Sequence, residues 1–224
     1  MKIFSTLVAA IVLSLLSVVF LNSCKKDEIR KPFKADFKTF FRISPVDPIP
    51  VEVNGANYFG FANFPGGGPG SATHIGNCKM YFNQLVYTDP KIPGAPPLGS
   101  VNAVLTDILN YPVTGAPLPL IQAGDFNGLI DANKKYHIPA NIQDKIINQV
   151  IYDDKGNALF TSAIKGSGAT FPISETVVGF NGKGIILGGR GKFHGTRGEF
   201  DYHGQFNIAN PNDAEYHLDG WIGY

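Results

Sequence analysis

Two neighbouring runs at the end of the chain alternate strictly between apolar and polar residues, and this pattern constrains the fold more than any other feature. In residues 198–208 one face carries glycine, aromatic and aliphatic residues and the other carries charged and amide residues, and residues 214–224 repeat the pattern. A period of two is typical of a β-strand with one buried face. Asn and Pro separate the two runs. The sequence therefore predicts a β-hairpin whose apolar faces lie on the same side.

A turn folded about Pro211 predicts the register of this hairpin. It places Gly204 opposite Leu218 and Tyr202 opposite Gly220, so that each strand glycine faces a large side chain. Large residues commonly fill the gap that a glycine leaves across two strands. We therefore expect this hairpin to be a well-packed part of the core.

The polar face of the same hairpin holds candidate ligand-binding residues. The predicted register places His203 opposite Asp219 and His217 opposite Gln205. A histidine–aspartate pair acts as a base or a ligand in some sites, and as a weak surface pair in most strands. Trp221 lies on this face too, either as an exposed contact residue or covered by the segment that precedes the first strand.

Further strands are predicted in the rest of the chain. Residues 33–43 alternate with Phe33, Phe37 and Phe41 on one face, and the three prolines in 44–50 end that strand. The glycines and prolines of 64–70 (FPGGGPG) indicate a loop, and 72–87 indicates one long strand or a strand pair. Residues 146–152 and 158–164 form a predicted hairpin with Gly156 in its turn. One or two strands follow in 174–187.

A Pro/Gly-rich insertion interrupts this pattern at about 88–141. Apolar residues recur at helical spacing in 101–110. Ser100, a residue type that caps helices, precedes them and Pro112 follows, so we predict a short helix there, with a strand as the alternative. Loops of this length are commonly functional, and this one is a candidate lid. The 26 glycines and 16 prolines of the chain all follow residue 23.

The first 23 residues read as a cleaved signal peptide. Lys2 precedes an uncharged segment with a 15-residue apolar core at 7–21, which is shorter than a membrane span. The segment ends in Leu21-Asn22-Ser23-Cys24, which resembles the lipobox of bacterial lipoproteins. That resemblance implies acylation of Cys24 and attachment to a membrane; an uncleaved anchor helix is the alternative.

Residues 24–32 form a charged, lipidated tether in this interpretation. Lys25 follows the cysteine, which favours the outer membrane, and Lys26-Asp27-Glu28 is similar to a Lys-acid-acid surface-export signal; a solvated spacer is the alternative. We predict a lipid-anchored protein of the outer membrane, on its periplasmic face or at the cell surface. Cleavage leaves 18 basic and 18 acidic residues, so nucleic acid is not an expected partner.

Residues 185–200 (IILGGRGKFHGTRGEF) resemble the Gly-Gly-Thr-Gly-x-Phe-x-Gly-Ala-x-Gly segment of allene oxide cyclase and dirigent barrels. Residues 70–76 and 153–160 are similar to segments of small exported bacterial relatives of that group. The resemblance covers about 70–80 and 145–224 and implies an all-β fold, a calycin-like antiparallel barrel of about eight strands over 33–224. It implies no activity, and Arg190 stands where those families have a small residue.

Residues with evident chemistry are few. Arg190, Lys192, His194 and Arg197 cluster in sequence and form either an anion site or a solvated turn, while His74 is expected to be structural. No HxH, HExxH or CxxC motif is present, so we predict no metal site and no cofactor. Once Cys24 carries lipid, Cys78 has no partner in the chain and is expected to be a buried small hydrophobe.

The function that these features favour is non-enzymatic binding of a small apolar ligand, or an interaction, at the barrel mouth. One alternative is an enzyme of the cyclase or isomerase type that uses the barrel cavity. Another is a surface structural or adhesion protein that acts through the loops of 87–141. The candidate ligand-binding residues are His74, Arg190, His194, His203, His217, Asp219 and Trp221.

Overall fold

The computed structural model describes residues 29–41, 44–88, 91, 99–102, 139–142, 145 and 147–224. The regular structure in these ranges consists of eleven strands and two 3₁₀ turns, at Ala140–Ile142 and Gly191–Phe193. None of the helical segments in this part of the chain is long and apolar enough to cross a membrane. The strands are β1 (Arg30–Phe41), β2 (Ser44–Val53), β3 (Ala56–Ala72), β4 (Gly76–Thr88), β5 (Gly99–Asn102), β6 (Gln149–Tyr152), β7 (Ala158–Ala163), β8 (Ala169–Pro172), β9 (Val177–Arg190), β10 (Arg197–Asn207) and β11 (Asn210–Gly223).

Eight of these strands close into an antiparallel barrel. Their order is β3-β1-β11-β10-β9-β7-β6-β4, and pairing between β3 and β4 closes the ring. Closure removes the exposed edges that an open sheet of this size would present. The prediction of an all-β, eight-stranded antiparallel barrel is confirmed.

The other three strands lengthen one end of the barrel. β2 continues β1 along β3, since Phe41 lies opposite Gly66 and Ser44 opposite Asn63. β8 continues β7 along β9, and β5 pairs with β4 beyond β6. We call this the aromatic end, because it contains Phe41, Phe64, Phe180 and Phe206. The opposite end, formed by the turns at 73–75, 153–157 and 191–196, is the turn end.

Strand β1 shows why these residues form a barrel wall. Its odd-numbered residues from Phe33 to Phe41 are buried, while Lys34, Asp36 and Lys38 point outward. Each buried phenylalanine contributes about 1.5–3 kcal/mol of hydrophobic stabilisation. The predicted alternation is confirmed, and Phe40, which breaks it, packs against a second cluster on the outside of the barrel.

The β10–β11 hairpin has the predicted faces but a different turn. The chain reverses at residues 208–209, and Pro211 lies inside β11 rather than in the turn. Asn207 Oδ1 accepts a hydrogen bond from the Ala209 N–H at 3.0 Å, and Asn210 Oδ1 accepts one from the Asn212 N–H at 3.3 Å. Asparagine side chains that bind the backbone two residues ahead favour such tight turns.

The predicted register of this hairpin is therefore wrong by two residues. Gly204 lies opposite Tyr216 rather than Leu218, and Gly220 lies opposite Phe200 rather than Tyr202. A shift of two leaves every side chain on its predicted face. Each glycine still faces a large residue, so the packing expectation is met with different partners.

The prediction of a loop at 64–70 is also wrong, because this segment lies inside β3. It pairs with β1 on one side and β4 on the other. Its glycines do not make turns. A Cβ at Gly66 would overlap the Phe40 carbonyl oxygen, and one at Gly70 would overlap the Asp36 carbonyl oxygen and the Phe37 ring. Here glycine permits close approach of strands and rings.

Two other segments, 44–50 and the start of 101–110, also differ from expectation. Residues 44–50 belong to β2, an edge strand that pairs with β3 through an irregular register between Pro45 and Ile49. Edge strands and irregularities are where proline is tolerated in a sheet.

The first two residues of the helix predicted at 101–110 lie in β5. Residues 103–110, and most of the insertion at 88–141, lie outside the described residues.

The predicted hairpin before residue 164 is confirmed as β6 and β7. Gly156 has a φ of 88°, as its turn requires. Asp153 Oδ1 accepts hydrogen bonds from the N–H groups of Lys155 and Asn157, at 2.9 and 3.0 Å. Burial acts to raise the pKa of Asp153, but hydrogen bonds from Asn157 and the Lys155 backbone outweigh it and lower the pKa.

Candidate functional site

The barrel interior is filled at the turn end. Phe33, Ile222 and Phe193 are completely buried there, and Phe193 projects from the 3₁₀ turn between β9 and β10 as a plug. A Cβ at Gly189 would overlap Phe193, so the glycine leaves room for that side chain. Dense apolar packing of this kind stabilises the fold.

A small polar group lies midway along the interior. Thr161 Oγ1 donates to Gln149 Oε1 at 2.9 Å, and the amide of Gln149 contacts the Met80 sulfur. Thr161 is fully buried and Gln149 nearly so. Because these groups satisfy one another, burial does not leave them unpaired. They do not form an obvious catalytic set.

Aromatic rings occupy the interior at the aromatic end. Neighbouring ring centroids lie between 4.7 Å (Phe41–Phe206) and 6.4 Å (Phe180–Tyr202) apart. Phe64, Phe180 and Phe206 are half-buried, in contrast to the fully buried side chains at the turn end. The seven members of this aromatic layer are Phe41, Phe64, Phe82, Phe180, Tyr202, Phe206 and Tyr216.

Glycines on β9 and β10 make room for these rings. A Cβ at Gly182 would overlap the Tyr202 phenol, and one at Gly204 would lie 2.5 Å from Cζ of Phe180. Ring faces and edges therefore lie directly on bare backbone. The three half-buried rings give this end of the barrel an apolar lining, the type that apolar ligands prefer.

Two tyrosines give the aromatic layer its polar atoms. Burial raises the pKa of Tyr202 to about 12, with a further contribution from nearby Tyr87. Burial and nearby Tyr202 raise the pKa of Tyr216 well above its usual value. Both phenols therefore stay protonated at neutral pH. They do not act as bases at that pH.

The rim of the aromatic end is built by the hairpin of β2 and β3. Its tip, at Asn54 and Gly55, has positive φ values of 51° and 78°. The Asn54 side chain abuts Gly166 in the connection between β7 and β8. Behind this tip, Val51, Val53 and Tyr87 form a small core of their own. The hairpin thus reaches from β3 to the connection that follows β7, which is the third strand from β3 around the barrel.

The histidines of the β10–β11 hairpin lie together on the outside of the barrel. His203 lies opposite His217, with ring centroids 5.0 Å apart, and not opposite Asp219 as predicted, because of the two-residue shift in register. His217 Nδ1 lies 2.6 Å from Asp36 Oδ1 on β1. The histidine–aspartate pair of this surface is therefore His217–Asp36, which sequence reasoning missed.

Asp219 belongs to a neighbouring row of charges. It forms an ion pair with Lys34 at 2.9 Å, while Asp201 beside it pairs with Lys183 at 3.0 Å. The hydrogen bond and charge of Asp219 raise the pKa of Lys34. All four side chains are largely exposed, and such pairs contribute little to stability. This row reads as a solvated sheet face.

Trp221 is covered by the start of β1. The Arg30 guanidinium lies 4.0 Å from the centre of the Trp221 ring, and Pro32 lies opposite Trp221 in the strand pair. A cation over an indole face is a favourable contact. Of the two alternatives for this residue, the structure therefore shows the covered one, and residues 30–32 of the predicted tether are part of strand β1.

The remaining candidate residues lie at the turn end. Arg190 closes β9, and His194 is exposed just beyond the 3₁₀ turn. His74 has a φ of 67° in the β3–β4 turn, and its Nε2 lies 2.9 Å from the Pro32 carbonyl oxygen. A contact that joins the turn to β1 fits a structural role for His74. None of these residues lines the barrel interior.

The second cysteine is a buried thiol. Cys78 is 6% exposed in β4, and burial raises its pKa to about 12. It is thus protonated at neutral pH and behaves as a small core residue, as expected from the sequence. Cys24 lies outside the described residues.

Comparisons with protein-family models, with curated proteins and with solved structures found no match to this chain. The resemblance to allene oxide cyclase and dirigent proteins therefore stays a sequence-based prediction. Among the described residues, no three His, Cys, Asp or Glu side chains converge in a manner suited to a metal ion.

Sequence reasoning did not select the aromatic layer as a candidate site. Its members come from six strands that meet only when the barrel closes, so no short motif contains them. One signal was available: even spacing places glycines on one face of each strand, at 182 and 184 and, on the next strand, at 198 and 204. Together with the aromatic residues on the same face of β10, that spacing indicates a barrel wall in which glycines leave space for aromatic rings.

Proposed function

We propose that this protein is a lipid-anchored component of the cell envelope whose barrel binds a small apolar ligand at the aromatic end. The half-buried state of Phe64, Phe180 and Phe206 carries the proposal for the ligand. A fully buried ring has no surface left to cover. A half-buried ring beside the phenols of Tyr202 and Tyr216 gains hydrophobic free energy when a ligand covers it. The predicted lipobox at Cys24 carries the proposal for the anchor.

A binding role is favoured over catalysis by the chemistry of the interior. Among the described residues, no imidazole is buried, and the one buried carboxylate, Asp153, accepts backbone hydrogen bonds within the β6–β7 turn. General acid–base catalysis at neutral pH needs a group with a pKa near 7. The raised pKa values of Tyr202 and Cys78 place both groups far from that range.

Native mass spectrometry tests the ligand. The chain from residue 24, with Cys24→Ser, contains every described strand, and we expect it to retain a co-purified apolar molecule or to take up an added fatty acid. Phe206→Ala should weaken that binding at least tenfold. Phe171→Ala is the matched control, because Phe171 is 43% exposed on β8 and should leave binding unchanged. Equal effects of both variants would contradict the proposed site.

Metabolic labelling with a fatty acid tests the anchor. Label should be incorporated into the full chain and lost in Cys24→Ala. Cys78→Ala should keep it, since the chain has 2 cysteines and Cys78 is buried. Label that persists in Cys24→Ala would show that the lipobox interpretation is wrong.

A further inference from the structure

Exposed cations gather at the turn end of the barrel. They come from separate segments: Arg30 and Lys31 from β1, Lys155 from the β6–β7 turn, Lys192 from the 3₁₀ turn, and Arg197 from β10. The described acids of this end are Asp153, Asp154 and Glu199. Asp153 is a buried carboxylate that accepts hydrogen bonds, and the nearby charge of Lys192 helps to lower its pKa. Five cations against three acids leave the described residues of this end with a net positive charge.

The pairing of the strands brings these cations onto one surface. Arg30 and Arg197 both lie opposite Gly223, on either side of β11. The Lys192 N–H donates to Asn157 Oδ1 at 3.1 Å, which joins the 3₁₀ turn to the β6–β7 turn. The surface is thus continuous from the start of β1 to the β6–β7 turn.

Aromatic and aliphatic side chains lie among the cations. Lys31 Nζ is 5.3 Å from the centre of the Tyr224 ring, and Tyr224 is 49% exposed. Ile29, which precedes β1, is 67% exposed, and Trp221 lies beneath Arg30. Tyrosine and tryptophan beside lysine and arginine are typical of residues at a lipid headgroup layer.

The predicted anchor enters the structure at this same end. Ile29 is five residues from Cys24, and an extended chain of that length spans less than about 18 Å. β1 alone has 12 residues and is about 40 Å long. Among the described residues, the opposite end carries Glu52, Glu175 and Asp213 against Lys91 and Lys165. Both tether length and charge therefore favour the turn end as the side nearest a membrane.

We propose that the turn end is a membrane-docking surface that binds the anionic headgroups of a lipid bilayer and directs the aromatic end away from it. Headgroup binding depends only on the described residues. The orientation rests on the proposed anchor at Cys24. A single acyl chain with a basic patch holds a protein more firmly than either alone, so the two elements would act together.

Vesicle sedimentation tests the headgroup contact without the anchor. The chain from residue 24 with Cys24→Ser should bind vesicles that contain phosphatidylglycerol and should dissociate from them at high salt. It should not bind vesicles of pure phosphatidylcholine. Each surface cation contributes about fivefold. The triple variant Lys31→Gln, Lys155→Gln, Lys192→Gln should therefore bind about a hundredfold more weakly. Lys38→Gln, Lys91→Gln, Lys165→Gln removes the same charge elsewhere and should bind within about twofold of the parent.

The outcomes separate this proposal from the proposed function. Equal losses in both triple variants, or no binding to anionic vesicles, would overturn the docking surface even if Cys24 carries lipid. Binding by the parent together with unlabelled Cys24 would overturn the anchor and leave the docking surface intact. Thermal melting of both triple variants should match the parent, since all six lysines are exposed.

The chain's 1 tryptophan reports the orientation of the full protein. Trp221 lies on the proposed surface, so lipids spin-labelled at the headgroup should quench its fluorescence in membranes that contain the full chain. The basic triple variant should lose part of this quenching. Unquenched Trp221 in the labelled, membrane-bound protein would show that another face meets the bilayer.

Discussion

The turn end and the aromatic end are built from the same strands but differ in what their interiors contain. At the turn end, completely buried side chains such as Phe33 and Ile222 fill the barrel, and Phe193 closes it. At the aromatic end, Phe64, Phe180 and Phe206 are only half-buried, and they lie beside the buried Tyr202 and Tyr216. The difference shows that the turn end is the more completely packed of the two, and the half-buried end is the one at which we propose that a ligand binds.

Truncation of one phenylalanine at each end gives the sharpest contrast. Phe33→Ala removes a completely buried ring and should lower the free energy of unfolding by about 3–5 kcal/mol. Phe206→Ala removes a half-buried ring and should cost about half as much or less. Urea unfolding measures both. A larger loss for Phe206→Ala would contradict the division of roles between the ends.

A second contrast uses two glycines of β9. Gly184→Ala would place a Cβ 2.3 Å from Cζ of the Phe200 ring, whereas a Cβ at Gly188 lies 3.3 Å from the end of the Ile142 side chain, a tight contact that a small shift of that side chain relieves. We expect Gly184→Ala to destabilise the barrel by about 1–3 kcal/mol. Gly188→Ala should have a smaller effect, and thermal melting of the pair measures the difference. Equal melting temperatures would show that the rings do not need bare backbone.

The buried phenols predict a loss of stability at high pH. The folded-state pKa of Tyr202 is about 12, above the value near 10 of an unfolded chain. The stabilisation is therefore fully present below about pH 10 and is lost as the pH rises towards 12. Tyr202→Phe should show a shallower decline in unfolding free energy between pH 9 and about 11.5. A decline as steep as that of the parent would place the Tyr202 hydroxyl in water.

The smallest expected effect concerns the outer histidine row. His217→Gln removes the contact with Asp36, whose side chain is 71% exposed. Exposed ion pairs contribute about 1 kcal/mol or less, so stability should change little and apolar-ligand binding should not change. Calorimetry with a bound fatty acid measures both. A strong loss of binding would move the functional site to the outer face.

Much of the barrel wall follows from local sequence patterns. The alternation in β1, β10 and β11 predicts which face of each strand is buried, and Asp153 with Gly156 predicts the β6–β7 turn. The predicted register of β10 and β11 was wrong, because Asn207 and Asn210 favour a turn at 208–209 and not one centred on Pro211. In such a case the pattern determines the face, and turn geometry determines the partner.

The segment 64–70 and the aromatic layer needed information that no local pattern contains. Glycine and proline in 64–70 indicate a loop when the segment is considered alone. In the structure the segment pairs with β1 on one side and with β4 on the other, which makes it a strand. The rings of Phe41, Phe180 and Phe206 meet only because β1, β9 and β10 belong to one closed sheet. Long-range pairing therefore decides both features.

Photolabelling tests the central claim most directly. A fatty acid with a diazirine in its chain, bound to the chain from residue 24 with Cys24→Ser and irradiated, should label residues of the aromatic layer, with Phe64, Phe180 and Phe206 foremost. Excess unlabelled fatty acid should abolish the labelling. Label on the outward-facing Phe171 and Ile173, or on the turn end, would contradict the account.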